Sequence, residues 1–295
     1  MKELENCSIC PHKCMVNREQ GQKGRCRCND KIKIALASVH NFEEPCISGK
    51  NGSGTVFFSN CNLNCMYCQN YEISQLGKGK EISIEELSDI FIMQQEKGVN
   101  NINLVTPTMY AYQIIEALKL ARKRGLHIPI IYNTNGYENV ETIKALDGSI
   151  DVYLPDLKYY SDELSKKYSG VDKYFEIATK AIEEMYKQVG PAQFDENGII
   201  KKGVIIRHLI LPNHLQNSKR ILRWIKENMP NDIYISIMAQ YFPTYRAKQD
   251  KYLNRKLTWK EYKEMEKFLF TLNLKNGYMQ EMELYEEEYV PKWEY

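Results

Sequence analysis

Nine cysteines occur in 295 residues, and none lies beyond Cys68. Eight of them form two groups, Cys7 to Cys28 and Cys61 to Cys68, with Cys46 alone between. Structural cysteines would scatter through core strands and helices, whereas thiols gathered at one end of a chain read as metal or iron–sulfur ligands. The central group runs Asn60-Cys61-Asn-Leu-Asn-Cys65-Met-Tyr-Cys68-Gln69, a C-x3-C-x2-C spacing with Tyr67 just before the last cysteine. A 4Fe–4S cluster usually takes four thiolates, so three from one short loop leave one iron open to a small chelating molecule. A zinc site would require a fourth thiolate or imidazole nearby, and the next dozen residues carry neither. Buried core cysteines would not sit in an Asn-rich loop.

Cys7, Cys10, Cys14, Cys26 and Cys28 make a second thiolate group, joined by His12. Two pairs separated by a loop suit a tetrahedral structural zinc. Alternatively, Cys7, Cys10, Cys14 and Cys26 hold an auxiliary 4Fe–4S cluster. Both metals accept four thiolates, so the spacing leaves both open. Residues 1–50 read as a small Cys-rich segment stapled by that metal, since a piece this short buries too little surface to fold alone.

Elements that could position these cysteines begin at residue 54. Strand-like runs at Thr55–Ser59, Asn101–Thr106, Ile128–Tyr132, Ile150–Leu154, Gly203–Leu211 and Ile233–Met238 alternate with amphipathic helical segments. The helices are expected near 83–97, 111–124, 138–146, 161–168, 173–188, 218–228 and 259–272. Ser83-Ile-Glu-Glu86 is a capping box, and Gly125 is a C-terminal helix signal. Strand–helix alternation demands right-handed crossovers and a parallel sheet. Six units are too few for a closed eight-unit barrel, so the expected fold is α/β, a partial (β/α)6 TIM-like barrel with the small N-terminal metal-binding segment. The barrel is expected over 51–250, with a helical extension over 251–295. In such folds the chemistry sits at the C-terminal ends of the strands.

The cysteine motif, with its aromatic residue and its place after the first strand, resembles the radical S-adenosylmethionine (SAM) superfamily. Within it, the chain is similar to the pyruvate formate-lyase-activating-enzyme-like group. That likeness covers nearly the whole chain: Cys7-x2-Cys10-Pro-His-x-Cys14, Gly21-x2-Gly24-x-Cys26, Val105-Thr-Pro-Thr108, Asn133-Thr-Asn-Gly136, Tyr153-Leu-Pro-Asp-Leu-Lys158, Arg207-His208 and Met238-Ala-Gln-Tyr241. The resemblance implies a SAM molecule chelated by the open iron and cleaved reductively to a 5'-deoxyadenosyl radical that abstracts hydrogen. It also implies an electron donor such as flavodoxin or ferredoxin, and a protein, peptide or small-molecule substrate. That substrate could be a glycine in a partner glycyl radical enzyme.

The strand ends supply the remaining candidates. Many members carry a Gly-Gly-Glu run after strand two; here Thr106-Pro-Thr108 stands instead, whose hydroxyls and carbonyls can accept bonds from the SAM ammonium. Asn133 and Asn135 end strand three and could reach the ribose or carboxylate, although Asn and Gly are also ordinary turn formers. By resemblance Lys158 bonds the SAM carboxylate and Asp156 balances charge or holds a cation. An arginine in the apolar strand around Arg207 needs a partner, and a carboxylate suits it. His208 faces the other way, as a core histidine would. Gln240 and Tyr241 could touch adenine or substrate.

The net charge of +2 predicts no general affinity for nucleic acid or membrane. No apolar run of about 18 residues occurs, and the charged start MKELENCSIC lacks the apolar core of a secretory signal, so a cytoplasmic protein is expected. A non-catalytic iron–sulfur or zinc protein is the rival class. Asp156, Lys158 and Arg207 weigh against it, because a cluster carrier needs no carboxylate pocket.

Overall fold

The structure, a computed structural model, describes residues 2–282 and Trp293. Its strands are β1 (Ile32–His40), β2 (Ser53–Phe58), β3 (Lys80–Ile82), β4 (Ile102–Val105), β5 (Ile130–Thr134), β6 (Val152–Pro155), β7 (Gln193–Phe194), β8 (Ile200–Leu209), β9 (Tyr234–Met238) and β10 (Gly277–Met279). The helices are α1 (Lys2–Glu5), α2 (Pro45–Ser48), α3 (Tyr71–Ser74), α4 (Ile84–Glu96), α5 (Ala111–Lys123), α6 (Val140–Ala145), α7 (Asp162–Ser169), α8 (Tyr174–Val189), α9 (Leu215–Asn228) and α10 (Trp259–Thr271). The sheet runs β10-β9-β8-β6-β5-β4-β2-β1-β3. From β2 to β9 all neighbours are parallel, which makes the expected open, six-strand partial barrel.

Alternation along the strands separates two faces. Tyr132, Tyr153, Val204 and Ile206 join the main core with the helices. Ile131, Val152, Leu154 and Ile205 turn the other way and are covered by Cys46 and Ile47 of α2. Each such fully buried aliphatic side chain contributes roughly 1.5–3 kcal/mol. Cys46 is therefore a core thiol, pushed up to about 11 chiefly by its burial.

Helix starts follow local chemistry. Ser83 Oγ accepts from Glu86 N while Glu86 returns a bond to Ser83 N. Thr258 and Glu261 repeat the arrangement at α10.

Three boundaries differ from the sequence expectation. β1 pairs antiparallel with β2, so residues 32–40 belong to the sheet and the 1–50 segment is not separate from the barrel. β5 starts after Pro129, two residues later than expected, which brings Asn133 and Thr134 into the strand. β10 adds a parallel strand on β9, so the 251–282 part of the extension is not purely helical. The part of that extension from residue 283 onward, Trp293 apart, lies outside the described residues. Trp293 packs edge-on against Phe57, ring centroids 5.3 Å apart. Among the described residues no helix is long and apolar enough to cross a membrane.

Candidate functional site

The loop after β2 turns at Asn60, whose φ of 69° lies in the left-handed region that Asn tolerates. Each of the three following thiols meets a hydrogen-bonding partner. Cys61 Sγ accepts from Asn135 Nδ2 at 3.3 Å and from Leu63 N at 3.4 Å. Cys65 Sγ lies 2.9 Å from Ser169 Oγ, and Cys68 Sγ lies 3.1 Å from Ser74 Oγ. Burial, then mutual repulsion, pushes the Cys61 thiol up to about 12. The same causes push Cys68 up to about 11, and burial raises Cys65. Three converging sulfurs that hold their protons until a metal takes them, each with a donor beside it, fit a cluster bound through three corners. Tyr67, the aromatic of the motif, meets Tyr159 Oη at 2.5 Å, and Tyr159 in turn bonds Ser169.

Above this loop stand the ends of β6 and β8. Lys158 Nζ donates to Asp156 Oδ2 at 2.5 Å, and its charge reaches Cys65. Arg207 Nε donates to Asp156 Oδ1 at 3.0 Å, Nη2 to Asn133 Oδ1 at 2.6 Å, and Nη1 to Glu43 Oε2 at 3.4 Å. Burial works to raise the Asp156 carboxyl, but Lys158 and Arg207 overcome it and hold the group below its usual range. Burial likewise drives Glu43 up to about 7 against the pull of Arg207. The arginine's need for a partner was legible in its apolar strand. Glu43, reaching in from the segment before α2, was not.

Other candidates divide. Asn135 sits at the cysteine loop, giving its amide to Cys61 and to Asn62 Oδ1 at 2.7 Å. Gly136 closes that turn at φ 80°, where a Cβ would meet the Asp156 carbonyl at 2.2 Å, so β5 and β6 can converge only with glycine there. Thr106 ends β4 at φ 60°, a strained conformation for a β-branched residue. Thr108 turns away: its buried hydroxyl donates to Glu138 at 2.6 Å. Glu138, unmarked by any motif, also accepts from Thr134 and is pushed up to about 7 by burial. Its second oxygen has no hydrogen-bond partner. Gln240 pairs with Gln280 at 2.7 Å beside β10. His208 bonds the Leu157 carbonyl and Ser218, as a core histidine does.

The N-terminal thiols also converge. Cys10 is raised by burial first and then by the charges of Cys26, Cys14 and Cys7. Arg25 N donates to Cys14 Sγ at 3.3 Å, and a Cβ on Gly24 would lie 2.7 Å from that sulfur. Cys28 is coupled to one member of this set. It bonds Cys26, lowering that thiol, and lies 3.4 Å from Tyr110 Oη. Among the described residues no three His, Cys, Asp or Glu side chains are arranged to hold a single metal ion.

Residues 55–191 match the family described as Radical SAM superfamily. An uncharacterized protein of Methanocaldococcus jannaschii is 34% identical over 278 residues, covering 90% of this chain and 74% of its own. The chain belongs to the radical SAM superfamily. A pyruvate formate-lyase-activating enzyme of Clostridium pasteurianum is 26% identical over 67% of this chain and 78% of its own. A solved structure described as native anSMEcpe with bound AdoMet and Cp18Cys peptide shares the fold, at 18% identity and a TM-score of 0.50. It is matched over 74% of this chain and 60% of its own length, less than two thirds. As a radical SAM protein the chain is an enzyme, and its family implies a 4Fe–4S cluster and SAM.

Proposed function

We propose that this radical SAM enzyme holds its cluster through Cys61, Cys65 and Cys68 and activates a partner protein by removing hydrogen from a glycine. The observation that carries the cluster site is the gathering of three thiols, each with its own donor, with the Lys158 charge acting on Cys65 and Cys68. When bound, the cluster supplies the electron for reductive cleavage of SAM and so for hydrogen abstraction. The protein's own side chains do the rest. Asn135, Ser169 and Ser74 favour the thiolate form of the three ligands. Asp156 aims the Lys158 ammonium at the space beside Cys65, where it can take the SAM carboxylate. Arg207, itself held by Asn133 and Glu43, fixes Asp156. Thr106 and Gln240, which follow β4 and β9, are proposed cofactor contacts, whereas the hydroxyl of Thr108 is committed to Glu138. The likeness to the activating enzyme of Clostridium pasteurianum supports the glycine substrate.

Cys7, Cys10, Cys14 and Cys26 are proposed to hold a second metal centre. Their charges couple at Cys10, and four thiolates suit either a tetrahedral zinc or an auxiliary 4Fe–4S cluster. The electron donor is proposed to be a flavodoxin- or ferredoxin-type carrier.

Protein purified without oxygen should show a 4Fe–4S EPR signal that shifts on adding SAM. The Cys61→Ala/Cys65→Ala/Cys68→Ala variant should lose that response while keeping the N-terminal metal, and a retained response would sink the assignment. With pyruvate formate-lyase as probe, a glycyl radical EPR signal is expected. Production of 5'-deoxyadenosine without that signal would move the substrate to a peptide or small molecule.

A further inference from the structure

The outer side of the cysteine loop carries a basic cleft that the reaction does not use. It encloses about 200 Å³, and its lining includes Lys23, Arg27, Lys33, Asn60 and Tyr110, with Glu81 the only carboxylate. The surrounding sequence is strongly basic: residues 13–33 hold seven Lys and Arg against Glu19 and Asp30. Two of the cleft cations are fixed by neutral groups. Lys33 Nζ donates to the Gly77 carbonyl at 2.6 Å, and Arg27 donates to the carbonyls of Ser74 and Gln75. Carbonyl partners hold a cation in place without cancelling its charge.

The same contacts tie the cleft to the cluster ligands. Ser74 accepts Arg27 through its carbonyl, and its hydroxyl lies 3.1 Å from Cys68 Sγ. Asn60, on the cleft wall, is bonded directly to Cys61, and its amide reaches Tyr110 Oη at 3.5 Å. Tyr110 also donates to the Ser59 carbonyl. None of Asp156, Lys158 and Arg207 lines this cleft, so a protein seated there leaves the mouth of the barrel to SAM and substrate.

We propose that this cleft is the docking surface for an acidic one-electron carrier protein. One electron leaves the carrier, which is oxidised by one unit, and reduces the centre on Cys61, Cys65 and Cys68 by one unit; no bond forms or breaks. Charge complementarity selects the partner: fixed cations around a concave surface steer and orient a carboxylate-ringed protein. The inference rests on the cluster reading above.

The test uses the full-length, cluster-loaded protein with reduced flavodoxin as probe, following cluster reduction by stopped flow, and dithionite as a small control reductant. Lys23 is exposed, so Lys23→Glu should leave the fold intact. At low salt it should slow reduction by flavodoxin about tenfold while leaving the dithionite rate unchanged. Lys33→Gln should act in the same direction, and the wild-type rate should fall with added salt. Lys226→Glu, on α9, should have no effect. Unchanged flavodoxin rates in both cleft variants, or equal slowing by Lys226→Glu, overturn the docking site and leave the cluster reading standing. Absence of any 4Fe–4S absorption in the anaerobically purified wild type overturns both.

Discussion

Lys158 and Arg207 share Asp156 but sit in unlike surroundings, and removing them should have unlike effects. Lys158 has one anionic partner and looks toward Cys65. Its loss leaves Asp156 still paired with Arg207. Lys158→Ala should therefore keep its fold and its cluster. Its SAM affinity should drop by about one to two orders of magnitude, since a charged hydrogen bond is worth roughly 1.5–3 kcal/mol. Arg207 is held on three sides, and Arg207→Met takes the cationic partner from Glu43 and one of two from Asp156, both largely buried. Breaking a buried pair from one side costs about 3 kcal/mol, so this variant should melt markedly lower. SAM titration of the loaded protein together with a thermal melt separates the two. Unchanged SAM affinity in Lys158→Ala, with the cluster intact, would remove Lys158 from the cofactor site. At this scale the ligand cysteines and the Asp156–Lys158 pair were legible, because their chemistry is local in sequence. Glu43 was not, because it meets Arg207 across a separation of 164 residues.

Among the elements, the turn from β5 into α6 stores a cost. Glu138 is 1% exposed, and burial outweighs the Thr108 and Thr134 hydroxyls to raise it from 4.5 to about 7. A carboxyl raised on folding stabilises fully below its unfolded value, and that contribution is lost as pH rises through the folded one. Glu138→Gln should thus be more stable than wild type at about pH 8, by about 2 kcal/mol, with the gain shrinking toward about pH 5. An equal gain at both pH values would mean that ionisation is not the cause. Thr108 was read as a cofactor contact because its strand end was visible and Glu138 was not: a lone glutamate at the start of a helix carries no pattern. The strand order, by contrast, followed from alternation alone, whereas the antiparallel β1 did not, since Ile32–His40 lies inside a segment whose cysteines suggested a separate unit. Gly24 gives a second test at this scale. Gly24→Ala would drive a Cβ to 2.7 Å from Cys14 Sγ, so it should lose the N-terminal metal while the SAM-responsive signal stays. Metal analysis showing full N-terminal occupancy in Gly24→Ala would take that loop out of the binding site.

The molecule as a whole is tied together by polar contacts that cross its layers, and histidines stand at several of them. His12 bonds the Asn62 carbonyl at 2.8 Å, joining the N-terminal segment to the cysteine loop. His214 meets Tyr168 Oη at 2.7 Å, joining α9 to α7. His208 joins β8 to the Leu157 carbonyl on one side and Ser218 of α9 on the other. Burial lowers all three, and His40 with them; His208, also opposed by Lys158, falls from 6.5 to about 4. A base lowered on folding contributes stability that is present above its unfolded value and lost as pH falls toward the folded one. For His208 the window therefore runs from 6.5 down to about 4. Its contribution at about pH 5 is a loss of about 2 kcal/mol relative to neutral pH, and the other three add to it in the same direction. Glu43 and Glu138, raised to about 7, act in the opposite direction over the same range, so the histidine contribution is read against a variant and not from the wild-type midpoint alone. His208→Gln should start from a lower urea midpoint at about pH 7, having lost one of two hydrogen bonds, and its gap to the wild type should narrow by about pH 5. A gap that stays constant over that range would show that the barrel histidine's affinity for its proton does not change on folding.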